Sequence, residues 1–233
     1  MSKKILIALI LCLGFCLSFA EAKELKYHPQ NKEELKKLVE NPQINLGEID
    51  TSKITDMSEL FKYSQRKDFS GIETWDTSNI RDMSSMFYGA ISFNQNINSW
   101  NTSKVENMSA MFWGTTSFNQ PLNKWDTSNV TNMSFMLSEA ESFNQPLDKW
   151  NTSLVTNMEG MFGGAESFNQ NINSWDTSSV INMSAMFEQA KSFNQPLNKW
   201  DTSKVKYMDD LFFKGAPLEE NPPKWYKVKY GIK

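Results

Sequence analysis

Cysteine and histidine are scarce in this sequence, which narrows the chemistry open to it. Of its 233 residues, two are cysteine and one is histidine, and both cysteines lie within residues 1–22. The remainder of the chain can therefore form no disulfide and offers no thiolate. The lone His28 precedes a proline in an N-terminal flank, and we interpret it as a solvated loop residue. Glycine-rich phosphate loops and His-containing metal motifs are missing as well, so we predict no catalytic, cofactor-binding or metal-binding residues.

An excess of basic residues is also missing. The chain has 24 Lys and Arg against 27 Asp and Glu. An acidic balance gives no electrostatic reason to expect nucleic-acid binding.

Long apolar runs are limited to one, over residues 5–20. Because it follows Lys3 and Lys4 and ends in small residues, it predicts a cleaved secretory signal peptide over residues 1–22. The alternative is an uncleaved membrane anchor, although the run is shorter than the ~20 residues that a spanning helix needs. Leu11 and Phe15 precede the cysteines where lipid attachment would require small residues, which favours ordinary cleavage over lipidation. We expect no transmembrane segment after removal of the signal peptide.

A repeat of 25 residues dominates the rest of the chain. A period of ~20–50 residues indicates stacked supersecondary units, and such units must stack to enclose their large side chains. We therefore predict that the tryptophan and methionine columns form a continuous core. Its members are Trp75, Trp100, Trp125, Trp150, Trp175, Trp200, Met108, Met133, Met158 and Met183.

Each repeat is predicted to hold one short strand and one short helix. The pattern Leu-x-x-Trp-x-Thr over residues 122–127 places alternate side chains inward, as on a strand. Apolar residues over 130–140 then recur at intervals of three and four, the stripe of an amphipathic helix. Identical strands joined by helices pair in parallel through right-handed crossovers. The predicted fold is an α/β, right-handed, leucine-rich-repeat-like solenoid with one short parallel strand and one short helix per 25-residue coil.

The repeats also set the expected domain boundaries. After the signal peptide, residues 23–43 differ in composition and predict a helical N-terminal cap. Residues 44–216 form the repeat solenoid of about seven coils, and residues 217–233 form a C-terminal cap. Within that cap, alternating charged and apolar residues over 224–233 predict an edge strand protected by lysines.

The repeated motif W-[DN]-T-S-x-V-x-x-M-x-x-M-F, followed by S-F-N-Q, resembles the repeat of BspA-type leucine-rich-repeat surface proteins, first described in mycoplasma lipoproteins. The resemblance covers residues 44–225. It implies a leucine-rich-repeat-like fold on a secreted or surface-attached bacterial protein that takes part in cell aggregation and in adhesion to host matrix such as fibronectin. It carries no catalytic residues. The asparagine of the usual leucine-rich pattern falls on Val130, so the hydrogen-bond ladder must come from elsewhere, with Thr127, Ser128 and Asn119 as candidates.

One repeat position forms an acidic column. Stacked carboxylates are suited to calcium binding or to the paired acid–base work of glycosidases. The simpler interpretation is that these side chains cap the following helices or face water, because amides replace carboxylates without regard to pairing. The column comprises Asp76, Asn101, Asp126, Asn151, Asp176 and Asp201.

The outward residues of the predicted strands form the candidate partner-binding face. Stacked repeats present such rows as extended binding surfaces, although the row could equally serve solubility. Its members are Asn98, Asn123, Lys124, Asp148, Lys149, Asn173, Asn198 and Lys199.

We therefore expect a non-enzymatic protein, secreted or on the cell surface, the periplasm and outer membrane included, that binds host or cell-surface macromolecules. The expected partner is a protein or glycoprotein, with host extracellular matrix such as fibronectin among the candidates. Two alternatives stay open. One is a structural envelope protein that stacks end to end. The other, less favoured, is an extracellular carbohydrate-active enzyme, which would need clustered carboxylates that break the repeat.

Overall fold

The structure is a computed structural model that describes residues 25–230. Two α-helices lie near its ends, α1 at Lys32–Glu40 and α2 at Lys224–Tyr230. Three 3-10 helices, η1 at Leu46–Glu48, η2 at Ile72–Thr74 and η3 at Pro217–Glu219, lie between them. The predicted signal peptide falls outside the described residues.

The coils between the helices stack in sequence order through one parallel bridge per coil. Each of the five inner bridging residues pairs with the one in the preceding coil and the one in the following coil, which places the two ends of the described chain at opposite ends of the stack. The bridging residues are Asp56, Asp82, Asn107, Asn132, Asn157, Asn182 and Tyr207, and a further bridge joins Tyr27 to Ile49.

The predicted α/β solenoid with a strand and a helix in every coil is wrong. Within residues 25–230 the bridges are isolated and build no sheet. The predicted strand over 122–127 consists of turns, because the Trp125 N–H donates to the Leu122 carbonyl (3.2 Å) and the Val130 N–H to the Thr127 carbonyl (3.0 Å). Backbone groups satisfied three residues away are not free to pair with a neighbouring strand.

The predicted helix over 130–140 is also wrong, and a turn ladder takes its place. From Met133 onward, alternate N–H groups donate along the stack to carbonyls of the next coil, as from Met133 to Asn157 (3.0 Å) and from Leu137 to Met161 (3.0 Å). The intervening N–H groups donate three residues back, as from Met136 to Met133 (3.2 Å). Phe135 and Glu139 adopt φ of 55°, so the backbone leaves the helical region and the bonds of an α-helix cannot form.

The turn ladder still buries the apolar residues that suggested a helix. Its tight turns return a side chain to the interior every three or four residues, as a helix does. Met133, Met136, Leu137 and Ala140 are all fully buried. Equivalent ladders occupy residues 83–90, 108–115, 158–165 and 183–190.

The tryptophan column lies in the core, with each indole N–H bonded to a backbone carbonyl of the preceding coil. Trp125 is 4 % exposed and donates to Ile97 at 3.1 Å, and Trp150 donates to Leu122 at 3.0 Å. Buried indoles need such a partner. Adjacent rings stack nearly parallel, as between Trp100 and Trp125, whose centroids lie 6.5 Å apart. The methionines Met108, Met133, Met158 and Met183 are fully buried beside them.

Two polar columns connect successive coils. Each buried Thr hydroxyl of the Trp-x-Thr motif donates to a backbone carbonyl of the next coil, as from Thr152 Oγ1 to Asp176 at 2.9 Å. On the outer surface, the Asn119 amide oxygen accepts the backbone N–H of Asn144 at 3.0 Å. These columns provide the hydrogen-bond ladder that the Val130 position lacks.

Helices cover both ends of the stack. Asn31 caps α1 by accepting the Glu34 N–H at 2.9 Å, and Leu35 and Val39 are buried beneath the helix. The predicted edge strand over 224–233 is wrong, because residues 224–230 form α2. The two prolines before it suit the start of a helix, where their missing N–H groups cost nothing.

Candidate functional site

The predicted partner-binding row is divided between two roles. Its central asparagines hold neighbouring coils together, with Asn98 Nδ2 donating to Asn123 Oδ1 at 2.9 Å and the Lys199 N–H donating to Asn173 Oδ1 at 3.0 Å. The other members are exposed side chains on turns and do not lie on a sheet. They are Lys124, Asp148, Lys149, Asn198 and Lys199.

The acidic column forms turns in place of helix caps. Asp126 Oδ1 accepts the Ser128 N–H at 3.0 Å, and Asn151 accepts the Ser153 N–H in the same way at 3.1 Å. Hydrogen bonds from Ser128 lower the pKa of Asp126, and those from Ser178 lower the pKa of Asp176. Among the described residues, no group of three or more His, Cys, Asp or Glu side chains is arranged to hold a metal ion.

His28 lies near the surface beside a carboxylate. Its Nδ1 is 3.2 Å from Asp50 Oδ2, and the His28 side chain is 58 % exposed. His28 and Asp50 lie at the N-terminal end of the stack, beside the bridge that joins Tyr27 to Ile49.

The outer surface of the turn ladder differs from coil to coil, and we call it the variable face. Its inward methionines repeat, whereas its outward positions do not. At two successive positions of this face the coils carry Lys62 and Tyr63, Tyr88 and Gly89, Trp113 and Gly114, Ser138 and Glu139, Gly163 and Gly164, and Glu188 and Gln189. Of these, Ser138 is buried and donates its hydroxyl to the Gly163 carbonyl at 3.0 Å. Because every coil keeps the same core, this variation is not required for folding.

An aromatic strip crosses four coils of the variable face. It consists of Tyr63, Tyr88, Trp113 and Phe135, whose successive ring centroids lie 5.1, 5.2 and 4.9 Å apart. Tyr63 is 60 % exposed, and the other three are half-buried. A hydrogen bond with Tyr63 raises the pKa of Tyr88, and burial and the nearby charge of Glu139 act in the same direction. Contacting aromatic side chains that remain partly open to solvent are typical of binding surfaces.

Glycine makes room for the last ring of the strip. Gly160 has a φ of 55°, and a Cβ added there would lie 2.4 Å from the Phe135 ring. The close approach of the ring requires the missing side chain, whereas the positive φ does not, since Ala110 and Phe135 adopt a similar φ at the same repeat position.

Beyond the strip, the variable face forms a cleft of about 360 Å³. Its lining includes the aromatic residues Trp113 and Phe135, Gly160, and the carboxylate residues Glu139 and Glu188. We call this the glycine cleft. The sequence pattern does not predict this cleft, because a helix in every coil would place its residues on the outer surfaces of separate helices. The available signal was the set of outward positions at which one coil departs from the next.

The sequence model of one protein family matches the chain, and this family is described as Mycoplasma protein of unknown function, DUF285. The match covers residues 31–150 and 119–225, which together span most of the chain. No curated protein and no solved structure was found to match. In the described range, no helix has the length and apolar character needed to cross a membrane.

Proposed function

The chain belongs to this family of Mycoplasma proteins, and from that premise we propose that it is a non-enzymatic binding protein of the BspA-like adhesion type. It acts from the cell surface or in secreted form. It engages a protein or glycoprotein partner through the variable face. The observation that carries this proposal is the concentration of non-repeating aromatic side chains on that face, one of them exposed and three half-buried.

Folding fixes some positions of each coil and leaves others free to vary. Inward residues of every coil are fixed by the core, and the asparagine and threonine columns are fixed by coil-to-coil hydrogen bonds. Trp113 is needed for neither, since the same position in other coils holds Ser138 or Gly163. A tryptophan left partly exposed at such a position supports binding, because aromatic residues supply much of the energy at interfaces.

A comparison of two surfaces tests the proposal. Purified protein is passed over immobilised fibronectin and other matrix proteins, and binding is measured by surface plasmon resonance. The variant Trp113→Ser with Tyr63→Ser should weaken binding by about tenfold or more, the usual effect of removing aromatic anchors. The variant Lys124→Glu with Lys149→Glu alters the predicted strand row and should bind as the wild type does.

The opposite result would move the binding site to the lysine row, which stays a prediction from the sequence. No saturable binding to any matrix protein would refute the adhesion proposal. Circular dichroism spectra of both variants would verify that lost binding does not come from unfolding.

A further inference from the structure

We propose that the glycine cleft recognises a cationic side chain, the lysine or arginine of a basic segment in a protein partner. This inference deepens the proposed binding function and rests on it for the nature of the partner. Trp113 and Phe135 supply the aromatic surface of the contact, and Glu139 and Glu188 supply the anionic groups.

The variable face already holds one ammonium group in this manner. Lys62 Nζ lies 5.6 Å from the ring centroid of Tyr88 and 2.6 Å from Glu59 Oε1. An aromatic face and a carboxylate thus share one cation at the first coils of the strip. Cation–π attraction combined with an ion pair explains the arrangement.

The same two kinds of group recur in the glycine cleft without a cation from the described chain. Glu139 lies beside the aromatic strip, since its Oε2 is 3.9 Å from the position that a Cβ on Gly114 would occupy. Its negative charge also contributes to the raised pKa of Tyr88. Among residues 25–230, the ion pairs include neither Glu139 nor Glu188. The cleft therefore offers negative charge and aromatic surface to an external cation.

Glycines in the lining of the cleft leave room for an occupant. Gly163 and Gly164 hold it open, and a Cβ on Gly164 would lie 3.2 Å from Glu139 Cγ. A cavity of about 360 Å³ admits a side chain with its flanking backbone and excludes a folded domain. Because the strip continues from the cleft across the stack, an extended segment would lie along it with its basic side chain in the cleft.

Charge favours this occupant over a neutral sugar. A sugar stacked on Trp113 would leave both carboxylates without a counter-charge and would partly desolvate them, which is unfavourable. An ammonium or guanidinium group satisfies the ring and the carboxylates together.

The test uses a tetralysine peptide as the probe, titrated into the purified protein by isothermal calorimetry. A tetraglutamine peptide and a neutral tetrasaccharide, each with four units, are titrated separately as uncharged control ligands. Tetralysine should bind, tetraglutamine and the sugar should not, and binding should weaken between about 50 and 500 mM salt because exposed charges are screened. Addition of tetralysine should change the tryptophan fluorescence of the wild type. This change should be lost in the variant Trp113→Phe, since Trp113 is the tryptophan that lines the cleft.

A matched pair of variants separates the site from overall charge. Glu139→Gln with Glu188→Gln should weaken tetralysine binding by about three- to tenfold, the range expected for two exposed ion pairs. Glu106→Gln with Glu220→Gln changes the net charge equally at exposed positions outside the cleft and should leave the affinity within about twofold of the wild type. Equal losses in the two variants, or binding of the sugar in place of tetralysine, would overturn the proposal.

The outcome is separable from that of the proposed function. Matrix binding that depends on Trp113 but not on Glu139 or Glu188 would refute cation recognition and leave the binding function intact. Tetralysine binding that depends on both carboxylates, with no matrix protein bound, would support the site and refute the adhesion proposal.

Discussion

The threonine column offers the sharpest test of how the coils are held together. Thr152 is 1 % exposed, and its hydroxyl donates to the Asp176 carbonyl of the next coil at 2.9 Å. Valine has nearly the same shape and lacks the hydroxyl. Thr152→Val therefore removes one coil-to-coil hydrogen bond and creates no cavity.

The expected cost follows from the hydrogen bond alone. A typical protein hydrogen bond contributes about 1 kcal/mol to stability, and a buried carbonyl left without a donor costs up to ~3 kcal/mol. Because the Asp176 carbonyl is only partly buried, water can replace part of the lost interaction. We expect a decrease of about 1–2 kcal/mol in the free energy of unfolding, which for a chain of this size lowers Tm by roughly 3–6 °C.

The measurement is equilibrium denaturation followed by tryptophan fluorescence, together with a thermal melt. Thr202→Val is the matched control, since Thr202 occupies the same repeat position in the last coil and has no following coil to receive its hydroxyl. It should change stability by less than about 0.5 kcal/mol, as surface substitutions usually do. Equal effects of the two substitutions, or no effect of Thr152→Val, would refute a stabilising role for the column.

Three further predictions concern other parts of the stack. Gly160→Ala should lower the free energy of unfolding, measured by chemical denaturation, by about 1 kcal/mol more than Gly114→Ala does. Both glycines have a positive φ, but only at Gly160 would the new methyl group displace an aromatic ring. Equal effects of the two substitutions would contradict the close approach of the Phe135 ring. Arg66→Met should speed backbone hydrogen exchange in α1 and lower the free energy of unfolding by ~2 kcal/mol or more. The reason is that the buried guanidinium donates to carbonyls at the end of α1 and so ties this helix to the first coil. Unchanged exchange would exclude that role. Asp126→Asn with Asp176→Asn should make the decline in Tm below about pH 4 less steep. The lowered pKa of each carboxyl group stabilises the fold at pH values above the pKa of the unfolded state, and this contribution is lost as the pH falls through the pKa of the folded state. An unaltered decline in Tm would refute this linkage.

The sequence permitted prediction of the period and of the stacking, but not of the local backbone. Val130, Met133, Leu137 and Ala140 recur as helical residues do, because consecutive tight turns also return a side chain inward every three to four residues. What separates the two is the positive φ of residues such as Phe135. Phenylalanine has no preference for that conformation, so the residue type at this position does not predict it.

The candidate site was readable in part. Identical positions in successive coils reveal the core, and departures from identity reveal the variable face, so Trp113 and Glu139 carried a signal in the sequence. Nothing in the sequence indicates that these two residues lie in one cleft, because that depends on the turn ladder, which brings outward residues of neighbouring coils together. The proximity of Lys62 to Tyr88 likewise follows from the stacking of coils and not from any local motif.

The ladder hydrogen bonds that join Met133 to Asn157 and Leu137 to Met161 run along the stack, and this direction has a mechanical consequence. The two ends of the described chain lie at opposite ends of the stack, so tension between them loads every interface in series. Hydrogen bonds aligned with the force open one after another and are not sheared together. Each opened interface should release one 25-residue coil, a contour of ~80–90 Å, so we expect the chain to lengthen in steps of similar size under load.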